Sequence, residues 1–386
     1  MSNLLRQEIT ASAQRLVVKV GTRVVTDAEG KLDAEVIHRL AEDLCRLAEA
    51  GREVVLVSSG AVGAGLKILE LDRRPSDLAR LQAVAAVGQT KLMDEYERWF
   101  FKHGRHAAQV LLTADDLNDR KRYLNVRNTL LSLLEMGAIP VINENDTVAV
   151  DELMLTVGDN DRLAAMVTNL LRAPLLVILS DIDGLYDGDP SSSTSSIVHE
   201  VMELDEDIFA YVRDRQRETS QQSQVTKGGM LSKLEAARMV TTAGENMIIA
   251  NGNEPGVISR IMAAEQVGTL FVAKGKAVSS RKRWIGFSVQ LRGELTMDEG
   301  ACRAIVQQGR SLLAIGIATS SGDFEIGDVV SILDSQGNEL ARGLSNYSSD
   351  EVKRIQGRRS DQIAEILGHC PYQEVIHRDN LLVTGQ

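Results

Sequence analysis

Lys19 stands near the end of the run Leu16-Val17-Val18-Lys19-Val20-Gly21-Thr22, which reads as a buried strand closing in a tight turn. A cation in such a strand is costly unless an anion meets it. Four further segments suit the same chemistry: Ser58-Ser59-Gly60-Ala61-Val62-Gly63-Ala64-Gly65, Asn143-Glu144-Asn145-Asp146, Gly158-Asp159-Asn160-Asp161 and Lys227-Gly228-Gly229-Met230-Leu231-Ser232-Lys233. Gly60, Gly63 and Gly65 would let the backbone approach a ligand closely, and a helix start after them favours anions. Lys233 follows a Gly-Gly pair at the expected start of a helix, where the dipole opposes a cation unless a phosphate meets both. Asp159 and Asp161 sit just ahead of another helix, where acids also serve as caps. Asp161 is placed to orient the two lysines, and Asp159 and Asn160 to face a substrate or a magnesium ion. Taken singly, each segment reads equally well as a turn, a cap or a solvated lysine. Taken together they describe a phosphoryl-transfer site. No segment matches G-x-G-x-x-G or G-x-x-x-x-G-K-[ST], so neither a dinucleotide fingerprint nor a P-loop is supported.

The six histidines (His38, His103, His106, His199, His369 and His377) lie outside all of these segments. Phosphoryl transfer to a hydroxyl ordinarily wants a base beside the nucleophile. A carboxylate acceptor is already ionised near neutral pH and needs none. Two lysines, backbone amides and magnesium would then suffice to offset charge on the moving group, which favours formation of an acyl phosphate. Asp159 or Asp161 could serve as a base were the acceptor a hydroxyl.

The elements that must position these residues alternate. Strand patterns at 15–20, 53–57, 108–112, 138–142, 175–179 and 246–250 are separated by helical patterns. These include one that Asp33 would cap and Gly51 end, and others near 78–101, 122–136, 161–171 and 233–243. Such alternation, with continuously apolar strands, predicts an α/β fold: an open, mostly parallel sheet sandwiched by helices. In such sheets ligands bind beyond the carboxyl ends of the strands. Lys19-Val20-Gly21-Thr22, Ser58-Ser59-Gly60, Asn143 to Asp146 and Ser180-Asp181 all fall there. Residues 191–196 and 213–226 read as exposed surface loops, the second placed as a lid over the Lys227 segment. After about Lys274 the pattern changes to short alternating runs with glycine turns at 293–297, 312–317, 328–333 and 339–344, a small β-rich domain.

The 386 residues carry a net charge of −11, which disfavours binding nucleic acid or anionic membrane over the whole surface. Cys45, Cys302 and Cys370 are scattered without metal or redox spacing, as expected of reduced thiols in a cytoplasm. Neither a signal peptide nor a membrane span is expected.

Lys19-Val20-Gly21-Thr22, Ser59-Gly60-Ala61, Ile142 to Asp146, Gly158 to Asp161 and Gly228 to Lys233 closely resemble the glutamate 5-kinases of the amino-acid kinase family. The match runs from about Arg15 to the C-terminus and takes in Asn253-Glu254-Pro255-Gly256-Val257-Ile258, Val267-Gly268-Thr269-Leu270-Phe271 and Arg281-Lys282-Arg283-Trp284. The resemblance implies transfer of a phosphoryl group from ATP, with Mg2+, to the 5-carboxylate of L-glutamate in proline synthesis. It implies that Lys19 and Lys233 stabilise the transferring group and that Asp161 organises them. Ser59, Gly60, Ala61, Asn143, Asp146, Asp159 and Asn160 would bind glutamate, Asp146 as partner of the substrate ammonium. Lys19, Gly21, Ser180, Asp181, Lys227, Gly228, Gly229, Met230, Leu231, Ser232 and Lys233 would hold the nucleotide. A homo-oligomer (dimer or tetramer), end-product inhibition by proline and a cytoplasmic location are implied as well.

By the same resemblance, residues 1–14 are an N-terminal extension and 15–274 the kinase domain. Residues 275–291 are then a linker, 292–370 a PUA-like domain and 371–386 a tail. Ser180 departs from a usual threonine and Lys227 from a usual glycine, and the stretch between Asp146 and Gly158 is about two residues longer than the family pattern. Three alternatives stand beside this reading. One is another kinase of the family, acting on N-acetylglutamate, aspartate or a nucleotide. Another is an RNA-binding protein working through the PUA-like part, and the last a catalytically inactive sensor. From Arg292 to Cys370, 8 Lys/Arg face 12 Asp/Glu, a net of −4, against an RNA partner; Lys353, Arg354, Arg358 and Arg359 read as a solvated face.

Overall fold

The computed structural model describes residues 2–148, 159–190, 192, 194–220, 229–273, 285–286 and 290–384. The chain divides into two compact units, residues 1–116 with 121–277, and residues 117–120 with 278–386.

The first unit is built on an eight-stranded sheet. Its strands are β1 (Arg15–Val20), β2 (Glu53–Ser58), β3 (Ala107–Leu112), β4 (Ile139–Glu144), β5 (Leu175–Ser180), β6 (Glu200–Val201), β7 (Asn246–Asn251) and β8 (Thr269–Phe271), in the order β3-β4-β2-β1-β5-β7-β8-β6. Every pairing is parallel except β7 with β8. From β1 the chain leaves toward β2, and from β5 it leaves toward β7, so the crevice between β1 and β5 is the topological switch point.

Side chains alternate across β1. Leu16, Val18 and Val20 join one core layer with Ile37, Leu44, Tyr96 and Phe100 of the helices Ala34–Glu49 and Leu78–Lys102. Lys19, in register with Val57 and Ile178, points to the opposite face, toward the helix Asp159–Leu171. Asp33 caps Ala34–Glu49 through its Oδ1, which accepts from the Glu35 amide at 2.9 Å.

The second unit carries a five-stranded sheet ordered β11-β9-β12-β13-β15: β9 (Gly293–Met297), β11 (Ile317–Gly322), β12 (Val329–Leu333), β13 (Glu339–Leu344) and β15 (Leu381–Val383). β10 (Leu312–Leu313) and β14 (Glu374–Ile376) form a separate pair. Leu295, Phe324, Ile332, Tyr347 and Val375 lie in its core.

Several expectations need correction. The tail expected over 371–386 carries two strands in its described part, β14 and β15, and β15 extends the sheet by pairing with β13. Residues 213–220 belong to the helix Glu206–Ser220 and not to a loop; 221–226 lie outside the described residues, as do 191 and 193. The helix carrying Lys233 begins at Gly229, a turn earlier than its apolar pattern suggests. The N-terminal extension forms the helix Ser2–Ser12. From it the buried Arg6 guanidinium donates to the carbonyls of His199 (2.8 Å), Val267 (2.9 Å), Glu265 (3.2 Å) and Gly268 (3.4 Å).

The helix Ala61–Ile68 after β2 packs directly on Leu78–Lys102, with glycines at the contact. A Cβ built on Gly88 would fall 1.8 Å from the Ala61 carbonyl oxygen, and one on Gly65 2.0 Å from that of Val84. Gly88→Ala should therefore force the helices apart at a cost of about 3 kcal/mol or more. Thermal unfolding should record a large fall in Tm, and an unchanged Tm would show that the two backbones do not meet there.

Candidate active site

The switch point gathers the charged residues. Asp161, in the first turn of Asp159–Leu171, is 1% exposed and lies against both lysines. Its Oδ1 is 2.5 Å from Lys19 Nζ and its Oδ2 3.4 Å from Lys233 Nζ. Ser232 Oγ donates to Oδ2 at 2.9 Å, and Lys233 Nζ also donates to the Gly229 carbonyl at 3.1 Å. Burial alone would push the Asp161 carboxyl up; the ammonium groups of Lys19 and Lys233 outweigh it and hold the group below the usual range. The Lys233 ammonium is pushed down, first by burial and then by Lys19, with Asp161 opposing. Two ammonium groups share one carboxylate under cover, with Asp181 adding a weaker favourable pull on Lys233. Buried cations sharing a carboxylate call for a further anion.

Asn160 points the other way from the same turn. Its Nδ2 donates to Ser59 Oγ at 2.9 Å and to Asn143 Oδ1 at 3.1 Å, and Asn143 Nδ2 donates to Gln89 Oε1 at 3.0 Å. Ser59 follows β2, and Asn143 is the penultimate residue of β4. Gly60 takes φ +116 as the residue before Ala61–Ile68, where a side chain would also press on Val25 Cγ2 at 3.0 Å, so glycine suits both needs. Ala61, buried, opens that helix. Asp146 lies just beyond β4; burial pushes its carboxyl up to about 6, with Arg74 pulling back.

On the other flank, the Gly21 amide donates to the Leu179 carbonyl at 3.0 Å, tying the end of β1 to β5. Ser180 Oγ donates to Asp181 Oδ1 at 3.1 Å, and Arg23 Nη1 reaches Asp181 Oδ2 at 2.9 Å. Burial raises the Asp181 carboxyl, but Arg23 prevails and lowers it. Gly229, Met230, Leu231 and Ser232 form the turn that leads into Lys233. Lys227, Gly228 and the side chain of Asp159 lie outside what is described.

The structure therefore brings together Lys19, Asp161, Ser232 and Lys233 in one cluster and Ser59, Asn143 and Asn160 in another. Gly21, Ser180 and Asp181 lie at the strand ends beside the first. Three partners were not foreseen. Gln89 could have been noticed as an amide on the buried stripe of its helix, four residues from both Ala85 and Met93. Arg23 and Ser232's bond to Asp161 depend on long-range contacts that spacing does not reveal.

Comparison with known proteins identifies the family. The model of the amino acid kinase family matches residues 14–251, and that of the PUA domain residues 293–367. A glutamate 5-kinase of Rhodopirellula baltica is 51% identical over 379 residues, covering 98% of this chain and 96% of the relative. Glutamate 5-kinases of Caldanaerobacter subterraneus and Syntrophotalea carbinolica are 47% and 45% identical, covering 96% and 98% of this chain and 97% and 100% of their own lengths. By the family model and these relatives, the chain belongs to the amino acid kinase family.

Proposed function

We propose that this chain is a glutamate 5-kinase: it transfers the terminal phosphoryl group of ATP to the 5-carboxylate of L-glutamate, giving L-glutamyl 5-phosphate and ADP, the first step of proline biosynthesis. The observation that carries the chemistry is the engagement of Lys19 and Lys233 by the two oxygens of one buried Asp161. The cluster holds both ammonium groups for the oxygens of the phosphoryl group in flight, at no reorganisation cost during transfer. Asp161 anchors both of them. The acceptor carboxylate is ionised near neutral pH, so no side chain need remove a proton. Ser59, Asn143 and Asn160 orient the acceptor, and Asp146 pairs with its ammonium group. That pairing favours free glutamate over its acetylated form, in which the cation is gone. Gly21, Ser180, Asp181 and the residues leading to Lys233 flank the nucleotide.

Among the described residues no group of three or more His, Cys, Asp or Glu is placed to hold a metal ion. Mg2+ fits this reading as an ion carried by the ATP phosphates, where it would offset their charge. No helix among the described residues is long and apolar enough to cross a membrane. A cytoplasmic location, a homo-oligomer and inhibition by proline belong to the same reading and rest on the family resemblance.

ADP release coupled to hydroxylamine trapping of the acyl phosphate tests the acceptor. L-Glutamate should give product, while N-acetyl-L-glutamate, L-aspartate and UMP should not; turnover of the acetylated acid alone would overturn the assignment. Lys233→Ala should lower kcat by about 100-fold or more while KM for glutamate moves little. Asp161→Asn should be worse in both respects, since it leaves two buried cations unpaired, and should cost about 3 kcal/mol or more in unfolding experiments.

The raised carboxyl of Asp146 sets a pH dependence. The free enzyme holds the proton below about 6, so kcat/KM for glutamate should fall as pH drops through that value. Asp146→Asn should raise KM and flatten that limb. An acid whose carboxyl is raised by folding stabilises the fold when protonated and weakens it as pH climbs from the ordinary carboxylate range to about 6. The same variant should therefore melt higher than the parent at pH 8. A lower Tm there would contradict the burial of that charge.

A further inference from the structure

We propose that Thr269 is a positioning residue for the nucleotide: its buried hydroxyl fixes the loop after β5, and with it the seat of the nucleoside end of ATP. The inference deepens the kinase reading above and rests on it.

The segment Val267-Gly268-Thr269-Leu270-Phe271 stands out in the sequence, yet it belongs to neither cluster of the active site. Its place in the sheet gives it a use. β8 runs antiparallel to β7, so its first residue meets the carboxyl end of its neighbour. Thr269 pairs with Ile249, two residues before Asn251, and Asn251 in turn pairs with Ser180 at the end of β5. Thr269 therefore stands near the edge of the sheet from which Ser180 and Asp181 lead away.

Thr269 is fully buried, and its Oγ1 accepts from the Leu185 amide at 2.8 Å. Gly184 permits that approach, since a Cβ there would fall 2.6 Å from the same oxygen. Leu185 is buried too, and its carbonyl accepts from the Val198 amide at 2.7 Å. An amide so enclosed has no water to turn to. The hydroxyl itself rests on a fixed base. A Cβ on Gly268 would fall 2.0 Å from the Ile249 carbonyl oxygen, and the Arg6 guanidinium donates to the carbonyls of Val267 and Gly268.

Residues 181–185 carry no helix or strand, so a few bonds decide their path. Asp183 supplies two. Its Oδ1 accepts from Asn251 Nδ2 and its Oδ2 from the Tyr186 hydroxyl, both at 2.8 Å. Thr269 supplies the bond that ties the loop to β8. On the kinase reading Lys19 and Lys233 take the phosphates, which leaves the loop that begins at Asp181 to the nucleoside. Valine in place of Thr269 keeps the shape and removes the acceptor. The stranded Leu185 N–H would then draw the loop away in search of a partner. Serine keeps the acceptor.

The test uses the full-length chain and its Thr269→Val and Thr269→Ser forms. In Thr269→Val the Kd of ADP, by calorimetry, and the KM for ATP should both rise about 10-fold. The KM for L-glutamate and the inhibition constant of tripolyphosphate, which has no nucleoside, should change less than about threefold. Thr269→Ser should match the parent within about threefold on all four. Unchanged ADP and ATP constants in Thr269→Val, equal losses on ADP and tripolyphosphate, or a serine form as weak as the valine form would each overturn the proposal. Where Thr269→Val fails to fold, Gly184→Ala, which presses the loop off the same hydroxyl, should show the selective loss, and its absence would be equally decisive. A parent that binds ADP but makes no acyl phosphate from glutamate would instead refute the glutamate 5-kinase reading, a distinct outcome.

Discussion

One carboxylate serving two ammonium groups is the constraint on which the rest of the molecule depends. Asp161 can neutralise only half of the charge that Lys19 and Lys233 bring beneath the surface. Ion pairs of this kind add little net stability, since the cost of stripping water offsets the Coulomb gain. Their use lies in readiness. On the reading proposed above, a polyanionic donor finds cations that are already desolvated and held by Asp161, itself bound by Ser232, with the Gly229 carbonyl also holding Lys233. Much of the reorganisation that water would demand has been completed during folding.

The sheet makes that arrangement possible. β1 is apolar on one face, where Leu16, Val18 and Val20 fill the core, and the pleat sends Lys19 to the other. The helix Asp159–Leu171 covers that second face and begins at the crevice where strand connections diverge. Adjacent residues of its first turn then join separate clusters, Asp161 with the two lysines and Asn160 with Ser59 and Asn143. The two clusters are thus registered by a single backbone segment, and any shift of that helix would move both together. Tight backbone contacts at Gly65 and Gly88 hold the neighbouring helices that carry Gly60, Ala61 and Gln89.

Much of this was legible in the chain because the residues concerned sit at strand ends and helix starts, where local patterns are strongest. Lys19 stood out as a cation in an apolar run, and Asp161 and Asn160 as polar residues opening a helix. The parallel sheet followed from alternation of the two periodicities. What escaped were features decided by distant contacts or by very short elements. β6 spans two residues and β8 three, too few for any pattern, so the antiparallel edge had no local signature. β14 and β15 are equally brief and gain their order from β10 and β13. Arg23 reads as an ordinary surface arginine until Asp181 is brought beside it. Gln89 alone carried a hint, an amide among apolar neighbours on a helix.

Arg6 gives the chain a temporal order. Its guanidinium sits within the first helix, yet the carbonyls it binds belong to residues 199 and 265–268. During synthesis from the N-terminus, that helix emerges before any of its acceptors exist. Its docking must wait until Gly268 has left the ribosome, by which point every strand from β1 to β7 has been made. The helix Ser2–Ser12 is thus among the last parts of the first unit to find its place, a clasp on a sheet whose strands β1 to β7 are already made.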